Sequence, residues 1–432
     1  MTSYAVAVGG FVALILLMLV RIPIGFAMGI VGVVGFGMIV GLAPAMQLLA
    51  QVPLTVVTDY TLSIIPMFIL MGVFASRSGL SGELFAAARA WVGHIPGGLA
   101  LASLFSCAGF AAINGSSIAT AATMTRVALP EMEKANYNSG LATGVIAAGG
   151  TLGIMIPPSA ALALYGIITE QDISKLFMAG VLPGLLGVLL YGLAIRIIAA
   201  YRPESMPAEP PVPLRERLAS LKDIWAVLIL FVFVIGGIYG GFFTVTEASG
   251  VGAVGTWFIG MVRRRLDLRK TMTCLVEALQ TTAAIFAIII GAMIFGYFLT
   301  ITQTTQNINA WLVALPIGAY GILFLIILMY LILGALMDEI AIALLTLPIV
   351  FPVIVGLGFD PIWFGVIFVM VCTIGMIAPP VGMNVFVINS IAPHVSLGRI
   401  YKGVAPFIAV DLFRLAILVA FPIISLLIPN SM

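Results

Sequence analysis

The chain has 432 residues, 62% of them hydrophobic and 8% charged, and its formal net charge is +2. Soluble domains carry roughly 25% charged residues, so this composition, with a mean hydropathy of +1.22, excludes a soluble enzyme and points to a polytopic membrane protein. The Lys and Arg residues fall at the ends of apolar segments, which gives no case for nucleic-acid binding.

Val6 to Val20 and Ile24 to Val40 are apolar runs separated by Arg21 and Pro23, read either as two short segments or as one span and a long bent helix. The first run lacks a basic leader and a clear small-residue cleavage site, so a retained span is expected. Ala43 to Thr61 is mixed in character (Pro44, Gln51, Pro53, Asp59) and suits a helix lying at the interface. Ile64 to Ala75 is a short apolar segment. The stretch from Gly98 to Val127 is long but carries Asn114, Gly115, Ser116 and Ser117 in a row. Irregular backbone is allowed at membrane depth only where it is buried in protein or lines a cavity. A re-entrant helical hairpin over 101–129, with its tip at Asn114 to Ser117, is therefore expected; the alternative is a helix-packing face of small residues.

Leu141 to Ile156 and Ala160 to Ile168 form a segment broken at Pro157-Pro158, and Phe177 to Ala200 is a plain span. Tyr201 to Asp223 is proline-rich and charged, an aqueous linker between halves. Ile224 to Phe243 and Val245 to Val262 are a helical pair with a tight turn near Thr244 to Glu247. Thr282 to Leu299 and Leu312 to Leu333 are apolar, and a second hairpin over 322–352 has Asp338 and Glu339 at its tip. Phe364 to Ile377 and Gly382 to Ile391 form a second broken segment, and Ala405 to Ile428 is the last span, with Asp411 and Arg414 on one face. The five Trp residues sit near span ends, as interface anchors do.

The two halves repeat each other. TLGIMIPPS from Thr151 returns as TIGMIAPPV from Thr373, an offset of 222 residues (373 − 151), which also carries Ser116 to Asp338 and Pro130 to Pro352. With one residue of slippage, Gly180 maps onto Gly403. The basic clusters Arg196 to Lys222 and Arg263 to Lys270 flank the helical pair, so both belong on the cytoplasmic side. Equivalent loops then carry opposite charge bias: Arg126 and Lys134 against Asp360, and Glu170, Asp172 and Lys175 against Arg399 and Lys402. The repeat is expected to be inverted.

Paired Gly/Pro-interrupted segments in two halves mark a transporter's binding region. Unwound carbonyls and helix C-termini suit a small cation, and half-helix N-termini an anion. A first cation site is expected at Ser116, Ser117 and the carbonyls around Gly153 to Pro158; a second near Ala341 and the carbonyls around Gly375 to Pro380. Asp338 has three candidate roles: ion ligand, proton carrier or acceptor of backbone N–H groups at the tip. Glu339 and the two histidines, His94 and His394, read as packing residues, and Cys107, Cys274 and Cys372 as small apolar ones. No phosphate loop, Cys/His metal spacing or catalytic triad is present, which leaves a membrane enzyme or passive channel as the weaker class of reading.

NGSSIATAATM, TLGIMIPPS, GALMDEIAIALLTLPIVFP and IGMIAPPVGMN together resemble the large membrane subunit of tripartite ATP-independent periplasmic (TRAP) transporters, in the wider ion-transporter superfamily, over essentially the whole chain. The resemblance implies an all-α, inverted-repeat, elevator-type transporter of the bacterial inner membrane, with two re-entrant hairpins and two broken transmembrane helices. It implies two or more coupling Na⁺ ions, import of an organic anion (a carboxylate or sugar acid), a soluble periplasmic binding protein and a separate small four-helix membrane subunit. A stand-alone sodium- or proton-coupled symporter or antiporter of the superfamily is the alternative. Carried over residue by residue, the first sodium site is Asn114, Ser116, Gly153, Ile156 and Pro158, and the second Gly334, Asp338, Ala341, Gly375, Ala378 and Pro380. Substrate is expected near Ser117, Ser159, Gly382 and Asn384. Two positions depart from the family's pattern: Asn114 replaces the first tip serine, and Ala378 replaces a threonine, leaving only its carbonyl. The expected organisation is scaffold and interfacial helices over 1–97, a first core over 98–200 (broken helix 141–168), the linker 201–223, scaffold over 224–320, and a second core with the last span over 321–432 (broken helix 364–391).

Overall fold

The computed structural model describes residues 3–432, and every regular element among them is helical. The first half holds α1 (Ser3–Leu19), α2 (Ile24–Val40), α3 (Leu42–Thr58), α4 (Ile64–Arg77) and α5 (Leu80–Val92). It continues through α6 (Gly98–Asn114), α7 (Ser117–Lys134), α8 (Ser139–Met155), α9 (Ala160–Thr169) and α10 (Ile173–Tyr201). The second half holds α11 (Leu214–Leu221), α12 (Trp225–Tyr239), α13 (Val245–Val262), α14 (Leu268–Ile301), α15 (Thr304–Val313) and α16 (Gly318–Leu336). Then follow α17 (Glu339–Gly356), α18 (Pro361–Gly375), α19 (Met383–Ile391), α20 (Leu397–Ala420) and α21 (Ile423–Leu426). Among the described residues, five helices are long and apolar enough to cross a membrane, or up to eight if each sharply bent pair counts as one span.

Short polar residues start these helices where apolar sequence gives no boundary. The Asn138 side chain accepts the Gly140 and Leu141 N–H groups at the head of α8. Asp172, Asp267 and Asp360 do the same for α10, α14 and α18. Such a cap contributes about 1 kcal/mol. Thr244 and Glu247 form a reciprocal capping box, which is the tight turn expected between α12 and α13.

The two N-terminal runs are separate helices folded back on each other. Arg21 takes a positive φ of 68° at the turn, and a side chain at Gly10 would meet Val31, at nearly equal sequence distance on the other side. Several boundaries differ from those expected. The hairpin arms extend past 101–129 and 322–352 because α7 runs through Pro130, and α17 through Pro348 and Pro352. The apolar run Leu312 to Leu333 is interrupted by a turn after α15, where Gly318 has φ +68°. The second broken segment begins at Pro361, three residues before Phe364. Trp363 is no interface anchor: it is 2% exposed, and its indole N–H donates to the Leu418 carbonyl at 2.9 Å, tying α18 to α20.

One end of the molecule gathers the basic clusters. On α5, Glu83 pairs with Arg263, and Arg89 pairs with Glu131 and with Glu209 of the linker. Hydrogen bonds from Lys134 and then Arg89 hold the Glu131 carboxyl below its usual range. The linker is docked rather than loose. Met206 is fully buried, its carbonyl accepts from Gly97 N–H at 3.1 Å, and Ser205 accepts from Asn138 N–H at 3.0 Å. At the opposite end, the Tyr165 hydroxyl of α9 donates to the Pro361 carbonyl that opens α18.

α10 and α20, which occupy equivalent places in the two repeats, run antiparallel. Arg202, just past the end of α10, shares a cleft with Arg399 and Lys402 at the start of α20, while further along both helices the Tyr191 hydroxyl donates to Asp411. α8 lies against α20 at backbone distance: a side-chain carbon at Gly403 would fall 1.7 Å from the Gly140 carbonyl oxygen.

Candidate functional site

The first hairpin turns at Gly115, whose φ of +63° ends α6 in the left-handed region that costs a β-carbon dear. Ser116 follows in extended conformation and caps α7 by accepting the Ala119 N–H at 3.4 Å. The turn sits on the break in the neighbouring helix: a side chain at Gly115 would lie 2.9 Å from the Pro158 carbonyl oxygen. Gly153, one turn before that break, packs against Ala111 and lies close to Thr120. Thr120 in turn accepts from the Asn114 side-chain amide at 3.3 Å. Ile156 closes α8 in extended geometry, and Ser159 opens α9 by accepting the Leu162 N–H at 3.2 Å.

Four helix ends therefore meet in the first half. The C-termini of α6 and α8 bring partial negative charge and free carbonyls, and the N-termini of α7 and α9 bring partial positive charge. Asn114, Ser116, Gly153, Ile156 and Pro158 all lie in this junction.

The second half repeats the arrangement with different chemistry. The tip has no glycine: Met337 is extended and Asp338 caps α17, accepting the Ile340 N–H at 2.7 Å. Of its three candidate roles, acceptance of backbone N–H groups is thus realised. Gly334 and Gly375 touch backbone to backbone, since a side-chain carbon at Gly375 would lie 2.3 Å from the Gly334 carbonyl carbon. Gly382 N–H donates to the Ala335 carbonyl at 3.3 Å, joining the break to the hairpin arm. Ala341 is buried in the first turn of α17, and Ala378 and Pro380 lie in the unwound stretch between α18 and α19. Beside Asp338, the Glu339 Oε2 is buried without a hydrogen-bond partner among the described residues.

The two halves meet through Asn384. Its side-chain amide donates to the Ser117 hydroxyl at 2.6 Å and to the Ala147 carbonyl at 3.2 Å. Both residues are fully buried, and Asn384 Oδ1 has no partner among the described residues. Of the four residues expected near substrate, the structure joins Ser117 to Asn384. Ser159 is committed to the α9 cap and Gly382 to the start of α19.

A second buried polar cluster was only half visible in the sequence. Asp411 Oδ1 lies 2.9 Å from Arg414 Nη2. The Tyr191 hydroxyl reaches the other carboxylate oxygen, and Thr151 of α8 lies 3.4 Å from that hydroxyl. The signal for Tyr191 was present: the one-residue slippage that maps Gly180 onto Gly403 also maps Tyr191 onto Arg414.

The donor set at both junctions consists of carbonyls, amides, hydroxyls and one carboxylate, all hard oxygen-rich ligands that suit an alkali cation. Among the described residues there is no group of three or more His, Cys, Asp or Glu side chains of the kind that holds a transition metal.

Residues 11–424 match the family described as the tripartite ATP-independent periplasmic transporter, DctM component. The C4-dicarboxylate TRAP transporter large permease protein DctM of Pseudomonas aeruginosa is 40% identical over 373 residues, 86% of each chain. The isethionate TRAP transporter permease protein DctMQ of Oleidesulfovibrio alaskensis is 34% identical over 96% of this chain, which spans 65% of that longer relative. In fold, the chain is similar to the crystal structure of the Alcanivorax borkumensis YdaH transporter, with a TM-score of 0.59, 15% identity and 87% of both chains covered.

Proposed function

The chain belongs to the family of the DctM component of tripartite ATP-independent periplasmic transporters, and we propose that it carries a small organic anion across the inner membrane together with sodium. It is a multi-pass transport component and not an enzyme. The names of its relatives carry C4-dicarboxylate and isethionate, both small anions, and that class is the one proposed here.

The observation that carries the reading is the pair of junctions where hairpin tips meet helix breaks, held together by Asn384 and Ser117. Each junction offers carbonyl-rich helix C-termini to a cation, and the N-termini of α7, α9, α17 and α19 to an anion. We assign sodium to the first junction at Asn114, Ser116, Gly153, Ile156 and Pro158, and to the second at Gly334, Asp338, Ala341, Gly375, Ala378 and Pro380. Substrate is placed between them, beside Ser117 and Asn384, with Ser159 and Gly382 at the two neighbouring helix starts. In this reading the hairpins are re-entrant, the repeat is inverted as the antiparallel α10 and α20 suggest, and the hairpins with the broken helices move as one body against the remaining helices. A periplasmic binding protein delivers the anion, and a separate small membrane subunit braces the helices that do not move.

The test is uptake of labelled C4-dicarboxylate or isethionate into proteoliposomes with an inward sodium gradient, compared with potassium. Uptake that needs sodium, a binding protein and a small subunit supports the reading. Sodium-driven uptake by this chain alone would replace it with a stand-alone symporter, and uptake indifferent to the ion gradient would remove coupling altogether.

A further inference from the structure

We propose that the end of the molecule bearing Arg202 binds one anionic phospholipid, with its phosphate in the cleft between α8, α10 and α20 and an acyl chain lying along α10. The cleft encloses about 460 Å³ and is lined by Asn138, Ser139, Arg202, Arg399 and Lys402 among others, with no acidic side chain. Three other cations at this end, Arg89, Lys134 and Arg263, each hold a glutamate. Arg202, Arg399 and Lys402 have no carboxylate partner among the described residues. The N-terminus of α8 adds its partial positive charge. Asn138 already takes two of its N–H groups, so the cations carry the recognition.

The lipid, rather than a free anion, is indicated by what leads away from the cleft. Leu185, Leu189, Leu193, Ile197 and Tyr201 recur every fourth residue on α10 and are between 47% and 84% exposed. They form one apolar stripe about 24 Å long that ends beside Arg202. Basic pockets between transmembrane helices on the cytoplasmic side are suited to anionic head groups. The proposal rests on the membrane orientation adopted above, but its test involves neither sodium nor transport and stands apart from both.

The full chain in detergent would be titrated with palmitoyl-oleoyl phosphatidylglycerol, the matching phosphatidylcholine, or inorganic phosphate. Retained adducts would be read by native mass spectrometry, and stability by melting temperature. One tightly held phosphatidylglycerol is expected, with binding weakened on the order of a hundredfold in Arg202→Gln/Arg399→Gln/Lys402→Gln. A control with three exposed cations changed elsewhere, Arg215→Gln/Arg264→Gln/Arg269→Gln, should bind as the parent does. Lys402→Glu, a single exposed reversal, checks the result without the risk of a triple change and should weaken binding in the same direction. Equal retention by the cleft variants and the control would overturn the proposal. So would phosphatidylcholine binding as tightly, or inorganic phosphate stabilising the protein as much as the lipid does.

Discussion

The side-chain amide of Asn384 donates to the Ser117 hydroxyl at 2.6 Å, across 267 residues of sequence. This bond joins the start of the first hairpin's return arm to the start of the helix after the second break, so each half holds a helix start of the other in place. Asn384→Ala leaves Ser117 and the Ala147 carbonyl buried without their donor, which costs about 1–3 kcal/mol. Ser117→Ala removes less, because Asn384 keeps Ala147. In a double-mutant cycle on thermal stability, a coupling of about 0.5–3 kcal/mol is expected. Strictly additive losses would show that the two halves are not energetically linked here.

Asp338 separates two roles by substitution. Its carboxylate caps α17, and Asn caps a helix about as well as Asp, whereas Ala gives up about 0.5–2 kcal/mol. Melting temperature in KCl should therefore be nearly unchanged in Asp338→Asn and lowered in Asp338→Ala. In NaCl, a bound ion stabilises the parent by RT ln(1 + [L]/Kd), about 2.7 kcal/mol at a hundredfold excess. Both variants should lose much of that sodium-specific rise. A full sodium response in Asp338→Asn would assign the residue to capping alone.

The halves, the breaks and the hairpins were legible because each left a local mark: a 222-residue offset, Gly followed by Pro-Pro, and small polar residues in apolar runs. Proline alone misled. Pro130 and Pro352 sit at equivalent places and look like terminators, yet α7 and α17 continue through both. A proline removes one hydrogen bond, and a helix can survive that loss where neighbouring structure re-satisfies the backbone. The turn before α16 lies inside an apolar run and was passed over, although Pro316 and Gly318 mark it. Trp363, the docked linker and the Asn384–Ser117 bond were not legible either, since each depends on partners distant in sequence.

Gly375→Ala tests the second junction by volume. The added carbon would fall 2.3 Å from the Gly334 carbonyl carbon, a backbone atom that cannot swing aside. Overpacking costs typically about 1–3 kcal/mol, and here it also prises the hairpin arm from the broken helix. The variant should melt lower and lose sodium-driven uptake. Gly296→Ala on α14, where nothing lies within 4 Å of the new carbon, should be neutral or stabilise by up to about 1 kcal/mol. Equal effects at the two sites would mean that helix propensity, not the junction, governs the loss.

The Asp411–Arg414 pair makes the last prediction. Arg414 is 1% exposed and Asp411 fully buried, and Nε and Nη1 of Arg414 have no partner among the described residues. Its guanidinium also lies 5.7 Å over the Tyr191 ring and against Gly187. Breaking a buried pair from one side leaves an uncompensated charge and costs about 3–5 kcal/mol, whereas replacing both partners with apolar residues of similar volume is often neutral or stabilising. Asp411→Leu and Arg414→Met should each lower the melting temperature sharply, while the double variant should recover most of the loss. Sodium-driven uptake then reads what the pair is for. Tyr191, Asp411 and Thr151 link α10, α20 and α8, so a double variant that is stable but slow would assign the cluster to holding α8, and with it the first junction, in register. A double variant that is both stable and fully active would make the pair dispensable.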